Sequence, residues 1–271
     1  MVLGVDIGGT KIATGMVNHR AEVSEVRSVP TLANEGYDVS IRQVWGAIEA
    51  SIAGDVQAIG ICAPGPLNPK TGVILNPPNL PGWRNVALQE MVRARFGRPV
   101  RVENDCNAAG LAEARFGAAK GCNSVFYAAI GTGIGSGIII DGKIYHGKNG
   151  FAAEGGHVSI DYRSETVCRC GSLGCIEALA SGHVLDKGSY DLNEIAIQLG
   201  AWLGSVVSLL DPDIIVIGGG VAGIGEPLFE KLRAIVPRRT VNPYAGELAI
   251  VPAQFGAVGG IVGAAAVVMG A

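Results

Sequence analysis

The string Glu154-Gly155-Gly156-His157 is followed by Cys168-Arg169-Cys170-Gly171-Ser172-Leu173-Gly174-Cys175 and then Ile176-Glu177. One imidazole and three thiolates make a closed tetrahedral donor set for Zn²⁺, with no position left for a reacting water. Such a metal would be structural. Three buried free thiols, or a redox pair among them, is the competing reading. If one ring nitrogen of His157 binds zinc, the other becomes a fixed donor. Glu154 and Glu177 stand beside that clamp in sequence. Two carboxylates and an imidazole held together suit the vicinal hydroxyls of a sugar.

A second kind of chemistry is written in glycine. Asp6-Ile7-Gly8-Gly9-Thr10-Lys11 ends a short apolar strand. Two glycines let backbone N–H groups approach an anion, and Thr10 adds a hydroxyl donor. Asp6 at the strand end can hold Mg²⁺ through water. A simple hairpin turn is the alternative. Ile130-Gly131-Thr132-Gly133-Ile134-Gly135-Ser136-Gly137 repeats the design. Two such turns can clamp a polyphosphate from opposite sides. A third turn, Gly218-Gly219-Gly220, follows the apolar run Ile214–Ile217. Its G-x-G-x-x-G spacing lacks the acidic residue that a dinucleotide site needs about 20 positions on. That neighbourhood is Arg238-Arg239-Thr240, so the turn reads better as a close approach to an adenine nucleoside. No G-x-x-x-x-G-K-[ST] and no G-x-S-x-G occurs, which excludes a P-loop enzyme and an α/β-hydrolase elbow.

Glu103-Asn104-Asp105-Cys106-Asn107 marks a strand-to-helix junction. Asp105 could take the proton of a sugar hydroxyl attacking a phosphoryl group. A helix cap made by Asn and Asp is the alternative. The long Pro-rich loop from Ala63 to Trp83 offers the Gly65 backbone and Asn79 to a polar ligand, with Trp83 as a lid or a packing anchor.

The elements that must position these groups follow from apolar periodicity. Val2–Ile7, Ile12–Val17 and Glu22–Val29 read as an antiparallel meander. Asp38–Ile52 has helical spacing, Ala58–Cys62 is a buried strand, and Val86–Phe96 is a helix. Val100–Glu103 is a strand leading into a helix from about Cys106 to Phe116. From Gly117 a second section opens alike, with Ser124–Ile130 and Ile134–Asp141 as a hairpin. Leu192–Leu210 is a long helix, Ile214–Ile217 a strand and Pro227–Ile235 a helix. Glu247–Val251 and Ala257–Met269 are the last strand and helix. Two sections that begin alike suggest two lobes of similar design.

Composition narrows the classes. The 271 residues are 48% hydrophobic and 17% charged, which excludes intrinsic disorder. A net charge of −3 argues against a nucleic-acid binder that works through a general basic surface. The apolar tail from Phe255 is broken by glycines and reads as a core helix, so no membrane partner is expected. No basic n-region precedes the first strand, and three of six cysteines are scattered, so a secreted disulfide framework is not expected and a cytoplasmic location is.

Taken together, DIGGTK, APGP, NPPNLPGW, ENDCNAAGLAE, GTGIGSG, EGGH, CRCGSLGCIEALASG, DPDIIVIGGGV and FGAVGGIVGAA resemble the ROK family of repressors, open reading frames and kinases, especially its bacterial glucokinases of the zinc-containing branch. The resemblance implies an α/β, two-lobed actin-like ATPase (ribonuclease H-like) fold, each lobe a mixed sheet flanked by helices. It divides the chain into a small lobe, 1–112 plus 257–271, and a large lobe, 113–256, carrying the zinc loop and an interface helix. ATP and a sugar occupy the cleft, and sugar binding closes the lobes. By the same resemblance Asp105 is the general base on the sugar 6-hydroxyl. Asn79, Asn104, Glu154, His157 and Glu177 bind the sugar. Gly8–Thr10 and Thr132–Gly133 hold phosphates, beside Asp6 and Lys11, and Gly218–Gly220 borders the adenosine. Zinc falls to His157, Cys168, Cys170 and Cys175. The implied cofactors are ATP, Mg²⁺ and structural Zn²⁺, and the implied assembly is a homodimer or homotetramer. Glucose is the first substrate. N-acetylmannosamine, N-acetylglucosamine or fructose on the same scaffold, polyphosphate as donor, and a non-catalytic sugar sensor are the alternatives. The chain departs from the family after Ala180-Ser181-Gly182, where the family usually carries a few tens more residues of helix. It also begins at the first phosphate strand, where the repressors carry a preceding DNA-reading helix-turn-helix.

Overall fold

The computed structural model describes residues 1–52, 54–182 and 191–270. The chain forms two compact units. One is Met1–Phe116 with His146–Ala152 and Ala257–Ala271; the other is Gly117–Tyr145 with Ala153–Gly256.

The first unit is built on β1 (Val2–Ile7), β2 (Lys11–Val17), β3 (Val23–Pro30), β4 (Ala58–Ala63) and β7 (Val100–Asn104), in the order β3-β2-β1-β4-β7. β1–β2 and β2–β3 are antiparallel; β1–β4 and β4–β7 are parallel. Leu3, Val5, Ile59 and Ile61 are fully buried, as an apolar run covered on both faces must be. Val44 and Ile48 of α1 (Tyr37–Ser51) cover one face. On the other, Ile261 and Ala265 of α7 (Gly259–Val268) pack on Val2, Ala13 and Val17. β3 is the exposed edge, and its Glu25 and Arg27 suit it to water.

The second unit repeats this plan. β8 (Ser124–Ile130), β9 (Ile134–Ile140), β10 (Lys143–Ile144), β11 (Ile214–Gly218) and β12 (Ala249–Pro252) lie in the order β10-β9-β8-β11-β12. β8–β9 and β9–β10 are antiparallel, while β8–β11 and β11–β12 are parallel. Each sheet is a three-strand meander extended by two parallel strands. In each, the Gly–Thr turn joins the first strand to the second. α5 (Leu192–Leu210) and α6 (Glu226–Ile235) contribute to its core, where Trp202 meets Phe126 edge-on at 5.6 Å. α5 is long and apolar enough to cross a membrane by length and composition, but Leu199, Trp202, Leu203 and Val207 bury its apolar face in this core.

Several helix starts differ by one or two residues from those the sequence predicts, and two of them have a visible cause. Val86 was expected in a helix. It pairs instead with Ile74, exchanging backbone bonds of 2.8 and 2.9 Å, so α2 runs Leu88–Phe96. α3 runs Asp105–Phe116, one residue ahead of the expected Cys106, because Asn104 is the cap. The shortened segment after Gly182 falls largely on residues 183–190, outside the described residues.

Candidate active site

The first Gly–Thr turn is closed by its own backbone. Gly8 N–H donates to the Lys11 carbonyl at 2.9 Å. Thr31 braces it from outside, its N–H donating to the Thr10 carbonyl at 3.0 Å and its hydroxyl to the Gly8 carbonyl at 2.7 Å. The side chains of Thr10 and Lys11 are left in solvent. Asn79 packs against the turn: a Cβ at Gly9 would lie 2.8 Å from the Asn79 carbonyl oxygen. The structure thus brings Asn79 to the first turn. Gly65 is half-buried just beyond β4. Trp83 is a packing anchor, fully buried, with Nε1 donating to the Ser40 hydroxyl at 2.8 Å.

Asp6 is half-buried at the end of β1. Burial pushes its carboxyl above the usual range, against the pull of the Cys62 thiol and of Lys11. Cys62 Sγ donates to Asp6 Oδ1 and to the Gly260 carbonyl, each at 3.3 Å. A partly desolvated carboxylate with a weak thiol donor gains from a nearby cation, so Asp6 fits a role in holding Mg²⁺ through water.

At the end of β7 the chain turns directly into α3. Asn104 Oδ1 accepts from the N–H groups of Cys106 at 2.9 Å and Asn107 at 3.1 Å, which caps the helix. Asp105 Oδ1 accepts from Cys106 N–H at 2.8 Å. The preceding Glu103 is 3% exposed. Its carboxylate accepts from Asn104 N–H at 2.9 Å and from Asn107 Nδ2 at 3.2 Å, and meets His146 Nε2 at 2.7 Å. His146 escaped the sequence reading because nothing near it carries a ligand or base spacing.

In the second unit the segment Gly155–His157 forms one tight turn that docks on β9. A Cβ at Gly156 would collide with the Ile134 carbonyl, so only glycine allows that approach. Ser136 Oγ fastens the same turn, donating to the Ala153 carbonyl at 2.7 Å and accepting from Gly155 N–H at 3.2 Å.

The donor atoms of His157, Cys168, Cys170 and Cys175 all lie within 4.8 Å of one another. Cys168 Sγ is 3.6 Å from His157 Nδ1, and Cys170 Sγ is 3.7 Å from Cys175 Sγ. Tetrahedral Zn²⁺ with bonds of about 2.3 Å to sulfur places neighbouring sulfurs roughly 3.8 Å apart. The donor set and its spacing therefore fit zinc. With no cation, burial and the neighbouring thiols push the Cys175 thiol up to about 12. Because Nδ1 of His157 faces the cysteines, Nε2 points away from them. Glu154 stands close enough to His157 and Glu177 to feel both charges: burial raises its carboxyl, His157 opposes the rise, and Glu177 adds to it.

Glu177 lies in the short helix α4 (Ile176–Ala180). Its Oε2 accepts from Ile134 N–H at 2.9 Å, at the second Gly–Thr turn, while Oε1 is 4.0 Å from Cys168 Sγ. That turn is also held by Gly131 N–H on the Gly133 carbonyl at 2.9 Å and by Gly182 N–H on the Gly131 carbonyl at 2.6 Å. Thr132 is exposed at its tip. Gly218 ends β11, Gly219 lies against the Ile130 backbone at the base of this turn, and Gly220 opens a 3₁₀ turn to Ile224. Sequence spacing places Glu177 with the sugar-type residues and carries no signal for its bond to the second Gly–Thr turn.

Comparison with known proteins bears on the whole chain. A family profile described as ROK family matches residues 2–191 and 186–271. The break between the two matches falls where the chain was expected to be short. The chain is 33% identical to the glucokinase of Streptomyces coelicolor over 309 residues, covering 98% of this chain and 96% of that protein. The ROK family glucokinase of Streptomyces griseus, solved with glucose and AMPPNP, is 34% identical with a TM-score of 0.85, and 98% of each chain is covered. The ROK hexokinase of Thermus thermophilus is 32% identical with a TM-score of 0.84, covering 98% of this chain and 96% of that one.

Proposed function

The chain belongs to the ROK family and has its two-lobed actin-like fold, and from that premise we propose that it phosphorylates the 6-hydroxyl of glucose with MgATP. The observation that carries this reading is the repetition of one plan. Two sheets of the same strand order each present a Gly–Thr turn between their first and second strands. One anion turn is common in proteins; a matched pair suits the phosphates of a nucleotide. Glucose is supported by the glucose-bound relative from Streptomyces griseus, and ATP by the AMPPNP in the same structure.

In this reading Asp105 is the general base. Its carboxylate takes the proton of the 6-hydroxyl while that oxygen bonds to the γ-phosphorus, and the bond from phosphorus to the bridging oxygen of ADP breaks. Asn104 and Glu103 hold the backbone that carries Asp105. Asn79, Asn104, Glu154, His157 and Glu177 bind the sugar with the Gly65 backbone. Asn104 spends its Oδ1 on the helix cap, so its Nδ2 meets the sugar. Gly8, Gly9, Thr10 and Lys11, with Thr132 and Gly133, hold phosphates, and Gly218–Gly220 borders the adenosine. Mg²⁺, held near Asp6, neutralises phosphate charge when bound. His157, Cys168, Cys170 and Cys175 hold structural Zn²⁺, leaving Nε2 of His157 as a fixed sugar donor.

Coupled ADP release with MgATP tests this reading, with glucose and N-acetylmannosamine in parallel. Release with glucose alone is the expected result. Release with the acetamido sugar alone would replace the substrate and keep the chemistry. No release with either, from protein that binds a sugar, would favour a sensor.

A further inference from the structure

Gly133 has a neighbour that its assignment to phosphate does not explain. A Cβ built on it would lie 2.5 Å from Glu177 Oε2 and 3.3 Å from the carboxylate carbon. Its φ is not in the left-handed region, so an alanine backbone is permitted there. The nearest atoms there belong to the end of the Glu177 side chain, so glycine at 133 leaves room for the carboxylate against the turn. The same oxygen accepts from the Ile134 amide at 2.9 Å. The hydrogen bond and the space left by the missing Cβ together seat this side chain on the turn.

We infer that Glu177 is a positioning residue for the nucleotide as well as a sugar ligand: Oε2 fixes the Gly131–Ile134 turn in its anion-holding shape and Oε1 remains for the sugar. The inference rests on the reading of this turn as a phosphate holder. A carboxylate has two oxygens, each with its own lone pairs, so both contacts coexist. One short helix then ties together three things. Its N-terminal neighbour Cys175 belongs to the cysteine cluster, its Glu177 reaches the turn, and Gly182 beyond its end donates to the Gly131 carbonyl at 2.6 Å. A charge-assisted bond to a backbone amide is among the stronger kinds, and its loss loosens the group it held.

The test measures AMPPNP binding by calorimetry with no sugar present, on the full chain loaded with zinc. Glu177→Ala is expected to weaken binding about tenfold, the scale of one charged hydrogen bond. Glu177→Gln keeps an acceptor for the Ile134 amide and is expected to stay within about threefold of wild type. Hydrogen exchange gives a readout independent of ligand: the Ile134 amide should exchange about tenfold faster in Glu177→Ala and not in Glu177→Gln. Gly133→Ala provides a second route should Glu177→Ala fold poorly. It displaces the carboxylate and should weaken AMPPNP binding comparably while the Ile134 amide exchanges faster, as in Glu177→Ala. Unchanged nucleotide affinity and Ile134 exchange in Glu177→Ala would overturn the inference and leave Glu177 to the sugar alone. Tighter AMPPNP binding in Glu177→Ala would overturn it too, because the carboxylate would then be a competitor for the anion. A wild-type chain that binds no AMPPNP would overturn the phosphate reading itself, and the inference with it.

Discussion

Nε2 of His146 lies 2.7 Å from Oε2 of Glu103, two residues before Asp105. Glu103 is buried and His146 is half-buried, so the pair is shielded on one side and reachable on the other. His146 opens the segment 146–152, which leaves the second unit to pack within the first. His146→Ala removes a partner from a buried carboxylate, and the strand end that presents Asp105 loses a brace. The expected result is a fall in kcat of about tenfold with little change in glucose dissociation constant, measured by steady-state kinetics and calorimetry. Equal losses in both would show a general loosening.

Asp105→Asn keeps shape and hydrogen bonding and removes the carboxylate that the proposal makes the base. Turnover should fall by about 10²–10⁴, while glucose binding measured by tryptophan fluorescence or calorimetry stays within a few-fold of wild type. Wild-type turnover in this variant would remove Asp105 from the mechanism.

Cys170→Ser takes one donor from the four-atom cluster. Purified variant should carry much less zinc by elemental analysis and bind glucose at least tenfold more weakly, since His157 loses its orientation. Sugar affinity at the wild-type level in zinc-free protein would refute the orienting role.

Asp213 provides a pH signature away from the site. Its carboxylate accepts from Ser124 N–H at 2.8 Å and Asn123 N–H at 2.7 Å, where β8 starts beside β11. Those bonds hold its pKa below the ordinary 3.8. A carboxyl with a depressed folded value stabilises the fold fully above its unfolded value and loses that contribution as pH falls through the folded one. Asp213→Ala should therefore lower Tm at pH 7 by about 2–4 °C, and the gap should shrink as pH drops below 3.8. A gap that stays constant into acid would exclude the ionised carboxylate as its source.

What could be read in advance was whatever repeats within a few residues. The Gly–Thr turns, the Cys–His cluster and the long strands all carry short-range patterns, and the structure holds the cluster's donor atoms within 4.8 Å. The contacts of Glu177 with Ile134 and of His146 with Glu103 each join positions 43 residues apart, and no local spacing encodes them. The two-residue strands β5 (Leu67–Asn68) and β6 (Val73–Ile74) are too short for any period to show. Trp83 could be lid or anchor on sequence alone; the Ser40 hydroxyl that receives its indole N–H decides for anchor.

The last helix, α7, bears on the order in which this chain can be made. It packs on β1 and β4, strands that lie within the first quarter of the chain and emerge from the ribosome long before it. During synthesis the N-terminal sheet therefore waits with one apolar face only partly covered, by α3, while the second unit has all of its own segments by Gly256. An unfinished unit of this kind is a substrate for chaperones that shield apolar surface, and a chain stalled before Gly259 would present them with a sheet that nothing later arrives to cover.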